Sequence, residues 1–89
     1  MKIARKTKAN KYIVESAERV YALGITVDLA SAFSTVSIEC EGEESIFMQG
    51  DDAEQYISEI EALCKRFPSL DEYTAALALA EPYAECIWG

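Results

Sequence analysis

Val36-Ser37-Ile38-Glu39-Cys40-Glu41-Gly42-Glu43-Glu44-Ser45-Ile46-Phe47-Met48-Gln49-Gly50-Asp51-Asp52 is the stretch that decides the fold. Its first six residues alternate apolar and polar, which is the signature of a half-buried strand. Glu41-Gly42-Glu43 supplies turn chemistry, because glycine takes positive φ without steric cost. Ser45–Gln49 then reads as the return strand. A three-residue loop sets Ile38 opposite Ile46, and a two-residue loop sets it opposite Phe47; the spacing leaves both registers open. Gly50-Asp51-Asp52 ends the hairpin and opens a helix, since short acidic residues cap free amides and suit the positive end of the helix dipole.

Upstream, Ile25-Thr26-Val27-Asp28-Leu29 alternates in the same way and predicts a third strand, with Ala30–Ser34 as the connection. Before it, Ala9 to Leu23 has helical spacing: Ile13, Ala17, Val20 and Tyr21 share one face. Asn10 is the expected N-cap and Gly24 the left-handed residue that ends the helix. Glu15 and Arg19 stand four apart in the favourable order for an ion pair.

Downstream, Ala53, Tyr56, Ile57, Ile60, Leu63, Cys64 and Phe67 form a stripe at spacings of three and four, and Pro68 stops that helix after Lys65 and Arg66. Ser69-Leu70-Asp71-Glu72 has the form of a capping box. Leu70, Tyr73, Leu77, Ala80, Ala84 and Ile87 then follow as the seam of a short heptad pattern. Pro82 predicts a kink or break near Ala80–Glu81, with Tyr83–Trp88 folding back as a last short turn. The expected fold is α+β: a small three-stranded antiparallel sheet packed by helices, order αβββαα. Its expected core is Ile13, Val20, Ile38, Ile57, Ile60, Leu63, Phe67, Leu70, Tyr73 and Leu77.

The 89 residues suit one domain, and at 51% apolar they can bury a core. The expected division is a basic flexible arm at 1–8 and one acidic α+β domain at 9–89. Charge is the strongest outward signal. Residues 1–19 carry six basic residues and two acids, a net of +4, whereas 20–89 carry two basic residues and fourteen acids, a net of −12. The three cysteines (Cys40, Cys64, Cys86) form no CxxC, and the chain has no histidine, so free thiols in a reducing compartment are expected and a zinc site is not. The N-terminus lacks the apolar core of a signal peptide, and the longest apolar run, Ala75–Ala80, is far short of the roughly 20 residues that span a bilayer. A soluble, cytoplasmic protein is the expectation.

Glu39, Glu41, Glu43, Glu44, Asp51, Asp52 and Glu54 crowd together with no basic residue among them. On a strand, Glu39 and Glu41 would point the same way, about 6.8 Å apart. That step resembles the one between phosphates, so the array could imitate a nucleic-acid backbone to a basic partner. The ordinary alternative is a solvated face that serves solubility. The spacing matches no calcium loop, and neither a metal nor another cofactor is expected. The basic N-terminus could touch phosphates, but the acidic remainder would repel the same nucleic acid, so a mobile arm resting on the protein's own acids is the better reading. Among the aromatics, Tyr83 and Trp88, beside Glu81 and Glu85, are the best candidates for an exposed contact patch, with Phe47 next. Without histidine there is no Ser–His or Cys–His pair, and acids on a short hairpin make poor acid–base catalysts, so no enzymatic activity is expected.

From Ser45 to Glu61, through Ile46-Phe47-Met48-Gln49-Gly50-Asp51-Asp52-Ala53-Glu54-Gln55-Tyr56-Ile57, the chain resembles small acidic orphan proteins of phages and plasmids. The resemblance implies a mobile-element accessory protein. Some such proteins are anti-CRISPR or other anti-defence inhibitors, which block the positive groove of a host nucleic-acid-handling complex. The expected function is therefore an inhibitor whose acidic face docks on a basic protein surface, through Glu39, Glu41, Glu43, Glu44, Asp51, Asp52, Glu54, Tyr83 and Trp88. It requires no direct contact with nucleic acid or membrane. The alternative is a homodimeric regulatory or structural module that pairs through helix 70–88, with charge serving solubility alone.

Overall fold

In the computed structural model, which describes residues 3–88 apart from the side chains of Ser31 and of residues 85–88, the order is helix, three strands, then three helices. These are α1 (Lys11–Ala22), β1 (Ile25–Ala30), β2 (Thr35–Cys40), β3 (Glu43–Gln49), α2 (Asp51–Arg66), α3 (Glu72–Leu79) and α4 (Glu81–Trp88), with a 3-10 turn at Ser31–Phe33. The strands form one antiparallel sheet in the order β1-β2-β3. The fold is α+β, in the order expected, with the last helix divided in two.

The hairpin takes neither expected register in simple form. Glu41 (φ 55) and Gly42 (φ 86) are the two central residues of a tight turn, and Cys40 pairs with Glu43. Positive φ at both positions matches the right-handed twist of the flanking strands. Yet Ile38 stands opposite Ile46, because Ser45 is an extra residue: pairing passes from Glu39–Glu44 to Ile38–Ile46. This β-bulge returns Ile46 and Met48 to the face that carries Val36 and Ile38. A two-residue turn and an Ile38–Ile46 pair thus coexist.

That inner face, with Ile25 and Val27 from β1, meets the helices. Five residues of the expected core are buried (Val20, Ile38, Ile60, Leu70, Leu77), and five pack half-buried around them (Ile13, Ile57, Leu63, Phe67, Tyr73). On α1 the stripe is rotated: Val14 is buried and Tyr21 is 50% exposed. The helix lies mainly against α3 rather than on the sheet. Thr74, Ala75, Ala76 and Leu77 are all buried, because α3 is enclosed by α1, α2 and β1. Of the heptad seam, Leu70, Leu77, Ala80 and Ala84 lie in the monomer's core and Tyr73 is half-buried, while the Ile87 side chain lies outside the described residues.

Several end signals act differently from their sequence reading. Asn10 precedes α1 but does not cap it. Its buried side chain accepts from Thr7 N at 2.7 Å and Thr7 Oγ1 at 2.8 Å, and donates to Arg5 O at 3.3 Å and Ser69 Oγ at 3.0 Å. Ser69 is thus an acceptor for Asn10, and Asp71 caps α3 by accepting from Thr74 N at 2.7 Å. Within the segment 1–8, expected as a flexible arm, Ala4 N donates to Thr74 Oγ1 at 2.7 Å, and Ile3 and Ala4 pack on the core. Gly24 (φ 82) ends α1 as expected, its N–H donating to Tyr21 O. Gly50 precedes α2 at φ 67, ψ −136, a region essentially reserved for glycine, and no side chain caps that helix. Asp51, Asp52 and Glu54 therefore favour α2 through its dipole alone. Pro82 falls in the first turn of α4, where its missing N–H costs nothing, so the chain breaks at Ala80 and resumes.

Candidate functional site

The acidic residues expected to form one array divide between the two ends of β3. At the turn end, Glu39 projects from the outer face of β2, directly opposite Glu44 of β3. Ser37, also on that face, donates to Glu44 Oε2 at 2.8 Å. Asp28 stands across from Ser37 on β1, so three carboxylates share the solvent side of the sheet. Phe47, opposite Ser37 on the other side, is 51% exposed on the same face.

Glu41 does not join them. It is a turn residue, and its N–H donates to Gly24 O at 2.8 Å, so the expected Glu39–Glu41 strand pair does not exist. Glu43 lies across from Cys40, on the inner side of the sheet at its open end. Asp51, Asp52 and Glu54 belong to the first turn of α2, at the far end of a seven-residue strand, roughly 20 Å away at strand rise. Ser34 Oγ donates to Glu54 Oε1 at 3.3 Å.

Asp52 shares a groove with Tyr83 instead. Both line an open groove of about 380 Å³ with Met48, Gln55, Tyr56 and Glu59. The geometry follows from the chain. Positions 52, 55, 56 and 59 fall at i, i+3, i+4 and i+7 on one face of α2. Met48 comes from the end of β3, and the break at Ala80 brings α4 back so that Tyr83 reaches the same place. The rings of Tyr56 and Tyr83 are 6.3 Å apart and tilted by 45°. Tyr56 is fixed from below, its hydroxyl donating to Ala76 O at 2.6 Å. Burial, and then the neighbouring Tyr83 and Glu59, raise its phenol pKa well above the ordinary value. Gln55, Tyr56 and Glu59 were not expected in a site. Their signal in the sequence is the spacing from Asp52, which the apolar stripe through Tyr56 concealed. Trp88 lies outside the residues whose side chains are described.

The electrostatics of this surface follow from where the cations went. Lys6 pairs with Glu18 at 3.1 Å, Lys11 with Glu15 at 4.0 Å, and Arg19 with Glu81 at 2.7 Å. Each of these pairs involves α1. Arg19, expected to pair with Glu15, turns to α4 instead and also donates to Ser16 Oγ at 3.1 Å. Among the described residues, no acid of the sheet, the hairpin or α2 has an ion-pair partner. Among them, too, no three acidic or cysteine side chains converge as a metal site would require, and no helix is long and apolar enough to cross a membrane. Cys40 and Cys64 are half-buried free thiols. No protein family, curated protein or solved structure matches this chain.

Proposed function

We propose that this chain is a non-enzymatic binding protein that presents its acidic sheet–α2 surface to a positively charged protein surface. The observation that carries this reading is the segregation of charge. The paired cations Lys6, Lys11 and Arg19 gather on and just before α1, and Lys65 and Arg66 sit in the last turn of α2, while Asp28, Glu39 and Glu44 on the sheet and Asp52 and Glu59 nearer the start of α2 have no ion-pair partner among the described residues. A surface serving solubility alone would gain from interspersed signs; a one-signed field steers and orients a partner of opposite charge. The resemblance of residues 45–61 to small phage and plasmid proteins gives the partner its proposed character: the basic groove of a host nucleic-acid-handling complex, which the acidic surface would occlude. The pairing alternative draws on less. With Leu70, Leu77, Ala80 and Ala84 in the monomer's core, a helix-mediated dimer would rest on half-buried Tyr73, Ala78 and Leu79.

The test begins with capture of the partner from a host lysate and identification by mass spectrometry. Affinity of the purified pair is then measured across ionic strength, for the native chain and for Glu39→Lys/Glu44→Lys. The expected result is steep weakening with salt and loss of binding in the reversed variant. A complex indifferent to both would overturn the reading.

A further inference from the structure

We infer that the groove between α2 and α4 is a receptor for a single arginine side chain of the basic partner. The inference rests on the proposed docking of the acidic surface, and adds the residues and the chemistry that anchor it. Several independent features converge. The groove's volume, about 380 Å³, is ample for a long side chain. Among the described residues, the charged groups that line it are Asp52 and Glu59, both carboxylates, and no cation does. They stand seven residues apart on one helix face, about 10 Å along the axis, so a long side chain can lie between them. Gln55, midway, offers an amide oxygen to a donor.

The aromatic lining selects among cations. Tyr83, half-buried, brings an aromatic ring to the same groove as the carboxylates, the buried Tyr56 packs behind it, and Met48 adds a polarisable apolar surface. A guanidinium is planar, weakly hydrated and able to stack while its edge forms paired hydrogen bonds with a carboxylate. An ammonium has a compact, strongly held hydration shell that such a lining would partly strip. The Tyr56 hydroxyl is engaged with Ala76 O and its ring is buried, so Tyr56 holds Tyr83 in place from behind.

The experiment uses the full 15N-labelled chain, titrated at low salt with the blocked tripeptides acetyl-Gly-Arg-Gly-amide and acetyl-Gly-Lys-Gly-amide. The expected result is saturable shifts at the backbone amides of residues 52–59 and of Tyr83. The lysine peptide should bind several-fold more weakly. Asp52→Asn/Glu59→Gln should reduce arginine binding by about tenfold. Glu39→Gln/Glu44→Gln should leave it unchanged. Shifts centred on Glu39 and Glu44 would overturn the groove as receptor while leaving the acidic-surface reading intact. Equal binding of the two peptides, or no saturable shift, would also overturn it. Failure of the broader reading would appear elsewhere, as a captured complex insensitive to salt and to reversal of Glu39 and Glu44.

Discussion

Glu39 and Glu44 face each other across β2 and β3, two carboxylates occupying one cross-strand pair on the exposed side of the sheet. Like charges directly opposite are destabilising, and only Glu44 has a hydrogen bond to offset this, from Ser37. Glu39→Lys converts the repulsion into attraction and should stabilise the fold by about 0.5 kcal/mol. The same change should weaken binding to a basic partner. Chemical denaturation beside an affinity measurement checks both signs, and a gain in affinity would contradict the proposed surface.

Asn10 is a structural hub. Its side chain serves Thr7, Arg5 and Ser69 from a fully buried position. Asn10→Ala leaves Thr7 N and Arg5 O without that partner and should cost about 2–3 kcal/mol. An equilibrium urea melt reads this directly. A loss under about 0.5 kcal/mol would mean that water replaces the amide without penalty.

Tyr56→Phe removes the bond to Ala76 O. That carbonyl also accepts from Ala80 N, so it is not orphaned, and the cost should be about 1 kcal/mol near neutral pH. The pH dependence is more diagnostic. Because the folded pKa is raised above 10.0, chiefly by burial, the contribution is fully present below pH 10.0 and is lost as pH rises beyond it. The native chain should therefore lose stability in alkali more steeply than Tyr56→Phe. Parallel stability–pH curves for the two would rule out this linkage.

Glu41 occupies the left-handed region at φ 55 in the two-residue turn. Asparagine tolerates this conformation, and Asn-Gly is the preferred pair for such turns. Glu41→Asn should raise stability by about 0.5–1 kcal/mol. Since Glu41 projects from neither the outer sheet face nor the groove, partner affinity should fall little. A thermal melt and the same binding assay test the two halves separately.

The elements were legible where local chemistry decides them. Alternation marked the strands, Gly24 ended α1, and Pro82 divided the last helix. The failures share a tertiary cause. No periodicity could reveal how far α3 is enclosed by α1, α2 and β1, because a helix whose exposure is confined to Glu72 and half-buried Tyr73, Ala78 and Leu79 has no polar stripe to orient the reading. The rotation of α1 toward Val14 follows from that enclosure. The bulge at Ser45 depends on the inner face needing Ile46 opposite Ile38, a demand made by the helices beneath. At the candidate surface the residue types were readable, but their grouping was not. Glu39 joined Glu44 through the turn and bulge, and Asp52 joined Tyr83 because the chain folds back at Ala80.

The strap formed by residues 3–10 has a consequence for how the protein is made. Its anchors, Ser69 and Thr74, lie 59 and 70 residues beyond their partners Asn10 and Ala4. A ribosome delivers α1 well before α3. Until α3 is made, Val14, Ala17 and Val20 have no α3 to cover them, and the amide of Asn10 has no Ser69. The sheet and α2 can leave the exit tunnel before α1 has a place to dock. Completion of the fold therefore waits for the arrival of Ser69 and α3, and a nascent chain stalled before Ser69 would present the uncovered apolar face of α1 to chaperones.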